Sequence, residues 1–167
     1  MKSNQVLDLF TQCGGLLEGH FQLSSGLHSP GYLQCALVLQ YPDFAERLGL
    51  AVAGRVKDWR PTVVLSPALG GLLIGHEVAR ALGVPGIFVE RREGQMSLRR
   101  GFQLRSREQV LVVEDVITTG KSTRETISVA RDLGAEVVGV ASVINRGGVD
   151  VNLGTRFETL AEVSWPT

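Results

Sequence analysis

The stretch Val110-Leu111-Val112-Val113-Glu114-Asp115-Val116-Ile117-Thr118-Thr119-Gly120-Lys121-Ser122 decides the fold class. Val110–Glu114 reads as a strand that is apolar throughout, the pattern of a strand buried on both faces. Two adjacent carboxylates follow, then a turn of threonines, glycine, lysine and serine. Ser122–Leu133 keeps helical spacing and stops at Gly134. Working outward, the same rhythm recurs. Thr62–Ser66, Ile87–Glu90 and Val137–Ile144 read as strands. Between them lie a helix from Pro42, with Phe44, Leu48, Val52, Val56 and Trp59 at helical spacing, and a helix over Leu72–Leu82 closed by Gly83. Apolar strands alternating with helices predict an α/β domain whose central sheet is mostly parallel and covered on both faces. Ligands in such sheets bind beyond the carboxyl ends of the strands.

The first 40 residues break this rhythm. Val6, Phe10 and Cys13 share one helical face, with Ser3 as the expected N-cap and Gly14-Gly15 as the stop. Gly19–Tyr32 is rich in turn formers and reads as short strands joined by tight turns. The expected organisation is one domain over 1–167: an N-terminal helix and small hood in 1–40, a core in 41–150, and a C-terminal segment in 151–167 that returns towards the hood.

Composition narrows the class. Seventeen basic and seventeen acidic side chains give a formal net charge of zero, and 44% of residues are apolar. The balance disfavours nucleic acid or an anionic membrane as a partner. Cys13 and Cys35 are too few for a disulfide framework and lack zinc-ligand spacing, which fits a reducing, cytoplasmic setting. No apolar run is long enough to cross a bilayer, and residues 1–10 do not read as a signal peptide.

The turn after Asp115 offers hydroxyls and free amides at a helix N-terminus, a cradle for phosphate, with Gly120 allowing close approach. Gly120-Lys121-Ser122 is not a Walker A loop, because Asp115 stands where that motif needs its first glycine. A Walker loop surrounds polyphosphate with donors. Here two acceptors precede the cradle, which suits a ligand with hydroxyls beside its phosphate, such as a ribose 5-phosphate. Taken without the acids, the same residues would be an ordinary turn and helix cap.

This segment closely resembles the phosphoribosyl pyrophosphate (PRPP) signature of the type I phosphoribosyltransferases. Phe21-x-Leu23-x-Ser25-Gly26-x-x-Ser29-Pro30 resembles the hood motif of the orotate branch of that family. The resemblance runs from about Leu16 to Arg146. It implies the type I fold, with a mostly parallel sheet flanked by helices and a small N-terminal hood. It implies phosphoribosyl transfer from PRPP to orotate, giving orotidine 5-monophosphate and pyrophosphate, in pyrimidine biosynthesis.

Residue roles carry over by position. Glu114 and Asp115 match the acids on the ribose hydroxyls. Glu114, Asp115, Val116, Ile117, Thr118, Thr119, Gly120, Lys121 and Ser122 form the PRPP-binding segment, its last five residues holding the 5-phosphate. Ala68, Leu69, Gly70 and Gly71 resemble the pyrophosphate loop, which on its own would be a Pro/Gly turn. Arg91 and Arg92 match the leading basic pair of a mobile catalytic loop, 91–101, that in the family reaches the active site of a partner subunit. By position alone this loop would be a solvated surface run. With Glu114 and Asp115, they complete the expected catalytic set. Thr118, Arg146 and Tyr32 are implied in orotate binding, Arg146 by pairing with the carboxylate. The resemblance also implies Mg2+ carried with PRPP rather than held in a protein cage, and a homodimer.

The chain departs from many relatives in carrying Ser24 and Gly70 where they have lysine. It also lacks a lysine and a histidine after Arg92. Arg99 and Arg100 are expected to supply part of that missing charge. The sequence also ends soon after Trp165-Pro166, so a C-terminal tail of longer relatives is expected to be missing. Two alternatives stand beside this reading: a type I transferase for another base, and a nucleotide-sensing RNA-binding regulator of the same fold.

Overall fold

The computed structural model describes residues 1–23, 26–148 and 151–165. Helix α1 spans Ser3–Gln12, and strands β1 (Leu16–Gln22) and β2 (His28–Leu33) form an antiparallel two-stranded hood. Then come α2 (Ala36–Leu39), α3 (Pro42–Val56), β3 (Val63–Pro67), α4 (Leu72–Leu82), β4 (Gly86–Arg92) and β5 (Gln95–Leu98). They are followed by β6 (Gln109–Ile117), α5 (Lys121–Asp132), β7 (Glu136–Asn145) and β8 (Phe157–Glu162). The main sheet has the order β5-β4-β3-β6-β7-β8. All its pairings are parallel except β4 with β5.

The apolar run that starts the sequence reading supplies both cores. Leu111 and Val113 enter one buried cluster, shared with α1, α2, α3 and α4, while Val110 and Val112 enter the other, beneath α5. All four are fully buried. Alternate side chains of a strand point to opposite faces, so a central strand covered twice has no place for polar residues until it reaches its end. At roughly 1.5–3 kcal/mol for each fully buried aliphatic side chain, these four positions hold the sheet between its two helical layers.

Several expectations require correction. Strand β6 does not stop at Glu114. It continues through Ile117, with Val116 opposite Ile144 and Ile117 opposite Asn145, because β-branched residues on both strands extend the pairing. The acids therefore sit inside the last turn of the strand rather than at its tip. Residues 91–101 are not an irregular loop. Arg92 pairs with Gln95 and Val89 with Leu98 across a tight turn at Glu93-Gly94, both in the left-handed region. The N-cap of α1 is Lys2, not Ser3; its amide donates to Gln5 Oε1 at 2.7 Å, which satisfies the helix start from within.

Candidate active site

Three strand ends meet at the site. The first is β6, which carries Glu114 and Asp115. Glu114 is only 5% exposed, and its Oε2 accepts from Ser122 Oγ at 2.8 Å and Thr123 Oγ1 at 3.4 Å. Burial, reinforced by the adjacent Asp115 charge, pushes the Glu114 carboxyl up to about 7, against the two hydroxyl bonds. Asp115 Oδ1 accepts from the Val116 amide at 2.7 Å. Burial raises its pKa too, and hydrogen bonds from backbone amides oppose the rise. Burial thus works against the charged form of both acids, more strongly at Glu114.

Beyond Ile117 the chain turns into α5. Gly120 adopts φ +82°, and a β-carbon there would stand 2.9 Å from Leu153 and 3.0 Å from the Arg124 guanidinium. Arg124 clamps the turn: Nη2 donates to Thr119 O at 2.7 Å and Nη1 to Asn152 O at 3.2 Å. Lys121 N donates to Thr119 Oγ1. The amides of Thr118, Thr119, Gly120, Ser122 and Thr123 have no acceptor among the described residues. Glu114, residues 116–123 and Arg91 line a cleft of about 240 Å³. A ring of free amides at a helix N-terminus with acids at its rim fits an anion that also carries hydroxyls.

The second strand end is β3. After Pro67 the Ala68–Leu69 peptide is cis, and the Leu69 and Gly70 amides find no acceptor among the described residues. Gly70 lies against the Asp115 carboxylate, where a β-carbon would be 2.9 Å from Oδ2. The 68–71 loop and the acid pair are therefore neighbours.

The third is β4 with its hairpin. Arg91 lines the cleft of its own chain and pairs with Glu125 on α5, Nη2 to Oε2 at 2.5 Å, out of line for a hydrogen bond. Arg92 is the next residue on the strand, and the pleat directs it to the opposite face. The expected basic pair is thus split, with Arg91 alone in this cleft. Arg100 donates to Glu90 through Nε (2.6 Å) and Nη2 (3.0 Å), and Arg99 through Nη1 (3.3 Å). Those bonds hold Glu90 below the usual carboxylate range.

At the end of β7, the Asn145 side chain closes a turn by accepting from Gly147 N and donating to Gly148 O. This turn presents Arg146, whose amide donates to Ile117 O and whose Nη2 donates to Ser29 Oγ at 3.0 Å. Thr118 is adjacent, since a β-carbon on Gly147 would collide with its carbonyl oxygen. Tyr32, in the hood, is 39% exposed and leans on Phe21. Ser24 and Ser25 of the hood motif lie outside the described residues.

Sequence reasoning missed Thr123 as a partner of Glu114 and Arg124 as the clamp. Both lie within two residues of the recognised loop, and their position in the first turn of α5 was the available signal. It also missed Cys35, buried at the start of α2. Its thiol is pushed up by burial and by the negative field of Asp115 and Glu114. No motif marks it.

Fold and site together define a phosphoribosyl transferase domain, and residues 38–152, more than half of the chain, match that family. Among curated proteins, orotate phosphoribosyltransferase from Desulforamulus reducens is 49% identical over all of this chain and 87% of its own length. The enzyme of that name from Chlorobaculum parvum is 50% identical over 92% of this chain and 79% of its own length. The crystal structure of orotate phosphoribosyltransferase from Aeropyrum pernix superposes with a TM-score of 0.80 at 28% identity, covering 95% of this chain and 93% of that one. The chain belongs to the orotate phosphoribosyltransferase family.

Proposed function

We infer that this chain is an enzyme that transfers the phosphoribosyl group of PRPP to N1 of orotate, yielding orotidine 5-monophosphate and pyrophosphate in pyrimidine biosynthesis. The observation that carries the site assignment is the end of β6 and the turn after it, where buried Glu114 and half-buried Asp115 stand beside free amides. The amides of residues 118–123 receive the 5-phosphate, while Glu114 and Asp115 accept from the ribose hydroxyls. Breaking the anomeric C–O bond places positive charge on the ribose ring and negative charge on pyrophosphate. Catalysis is then mostly electrostatic and positional. Charged acids beside the ring favour the developing cation, and the free Leu69 and Gly70 amides and Arg91 face the leaving group. Arg146 pairs with the orotate carboxylate, while Thr118 and Tyr32 border the base.

Among the described residues no cluster of three or more His, Cys, Asp or Glu forms a metal cage. The two acids beside an anion cradle suit a hydrated Mg2+ that arrives with the diphosphate, which favours oxygen ligands and keeps its waters. Bound there, the ion would neutralise charge on the leaving group.

No helix of the described residues is long and apolar enough to cross a membrane. A cytoplasmic homodimer is part of the same reading. Arg92, which the pleat turns away from its own cleft, and the hairpin ion pairs of Arg99 and Arg100 are then available to a second subunit. The deciding experiment supplies PRPP, magnesium and a panel of bases, and follows each base by its ultraviolet spectrum. Loss of orotate absorbance with stoichiometric pyrophosphate is expected. Turnover of a purine instead of orotate, or RNA retention at moderate salt without turnover, would replace this reading by one of its alternatives.

A further inference from the structure

Trp165 is far in sequence from every motif, yet it lies on Arg146. The indole ring stands 5.1 Å from the guanidinium carbon, in cation–π contact. The same ring is pressed on the hood backbone at Gly31, where a β-carbon would come within 2.2 Å of two indole carbons. Only glycine admits the ring there. Two residues earlier on β2, and so on the same face, the buried Ser29 accepts from Arg146 Nη2. One face of the guanidinium is therefore covered by Trp165 and one corner is tied to Ser29. Nε and Nη1 have no acceptor among the described residues. A flat cation held by a face and a corner keeps a fixed plane, with its free edge open to a planar anion.

We propose that Trp165 is a positioning residue for the base: it holds the Arg146 guanidinium in the plane that pairs with the orotate carboxylate, and Gly31 exists to let it do so. The inference rests on the reading of Arg146 as the carboxylate partner. An aliphatic side chain would fill the space on Gly31 but would not fix the plane of the cation. An aromatic one does both.

The test uses the full chain and the variants Trp165→Ala and Trp165→Phe. In Trp165→Ala the KM for orotate rises about tenfold, the size of a partly desolvated cation–π contact, while the KM for PRPP and kcat at saturating orotate hold. Trp165→Phe recovers most of the loss. The chain has two tryptophans, so the wild-type protein shows two indole N–H resonances, and the one absent from Trp165→Phe belongs to Trp165. Adding orotate shifts that resonance and leaves the Trp59 signal, near the opposite end of β7 against Gly139, in place. An unchanged orotate KM in Trp165→Ala, equal rises in both KM values, or a Trp165 resonance unmoved by saturating orotate would overturn the proposal. If Trp165→Ala does not fold, the wild-type resonance and Trp165→Phe decide. Wild-type protein that turns over no orotate sinks the parent reading instead. Wild-type activity with an indifferent Trp165 sinks this inference alone.

Discussion

Gly70 faces Asp115 across the junction of two strand ends. A β-carbon at residue 70 would stand 2.9 Å from Oδ2 and 3.0 Å from Oδ1 of that carboxylate. The carboxylate cannot simply swing away, because Oδ1 holds the Val116 amide. Glycine at residue 70 is thus matched to the acid it touches.

Gly70→Ala should therefore displace Asp115 and spare the fold. Misplacement of about 1 Å at a reacting centre costs up to roughly a hundredfold in rate. We expect kcat/KM for PRPP to fall at least about tenfold, with the orotate KM and the melting temperature nearly unchanged. Initial-rate kinetics in both substrates and a thermal melt check this. A variant with wild-type PRPP kinetics would separate the two loops functionally.

Glu114 makes stability depend on pH in an uncommon direction. Its folded pKa of about 7 lies above the ordinary 4.5. Between those values the folded state keeps a proton that the unfolded state releases. Stability is therefore full below about pH 4.5 and is lost as pH rises through about 7. The whole span corresponds to about 3 kcal/mol. Glu114→Gln removes the titration and can still accept from Ser122. We expect the variant to melt several degrees above wild type at pH 8, with the difference shrinking towards pH 5, and to lose activity. Parallel melting curves across that range would contradict the burial assigned to this carboxyl.

The sheet core and the phosphate turn were legible because each rests on a short-range pattern. Val110–Val113 reads as a doubly covered strand, and the threonines and glycine at 118–120 mark where the chain leaves the sheet. The hairpin of β4 and β5 was hidden because its strands carry charge rather than alternating apolar residues. Arg91 and Arg92 looked like the start of a solvated run, and what orders them is the pairing with β5, with Arg99 and Arg100 closing on Glu90. Strand β8 is an edge strand and only partly apolar, so nothing local distinguishes Phe157–Glu162 from a loop. The seat of Trp165 on Gly31 is wholly tertiary. No spacing in the sequence connects those two residues.

The turn before α5 gives a test that involves no acid. Gly120→Ala puts a side chain at φ +82° and within 3 Å of Leu153. A left-handed L-residue costs roughly 1–2 kcal/mol before any clash is counted. We expect a stability loss of about 1–3 kcal/mol in urea denaturation, and weaker binding of ribose 5-phosphate by calorimetry, because the amide ring opens. Unaltered ribose 5-phosphate affinity would place the phosphate elsewhere.

Arg146 supplies the test of the base side. Its amide is tied to Ile117 O, so the backbone stays in place when the side chain, with its Nη2 bond to Ser29, is cut back. Arg146→Ala should raise the orotate KM far more than the PRPP KM. Loss of a carboxylate partner in a desolvated pair costs about 2–5 kcal/mol, roughly thirtyfold or more. Arg146→Lys keeps the charge but loses the two-pronged geometry and the flat face that Trp165 covers, so it should fall between Ala and wild type. Kinetics with each substrate varied in turn separates the cases. Equal effects on both substrates would remove Arg146 from the base pocket and leave it as a strut between β7 and the hood.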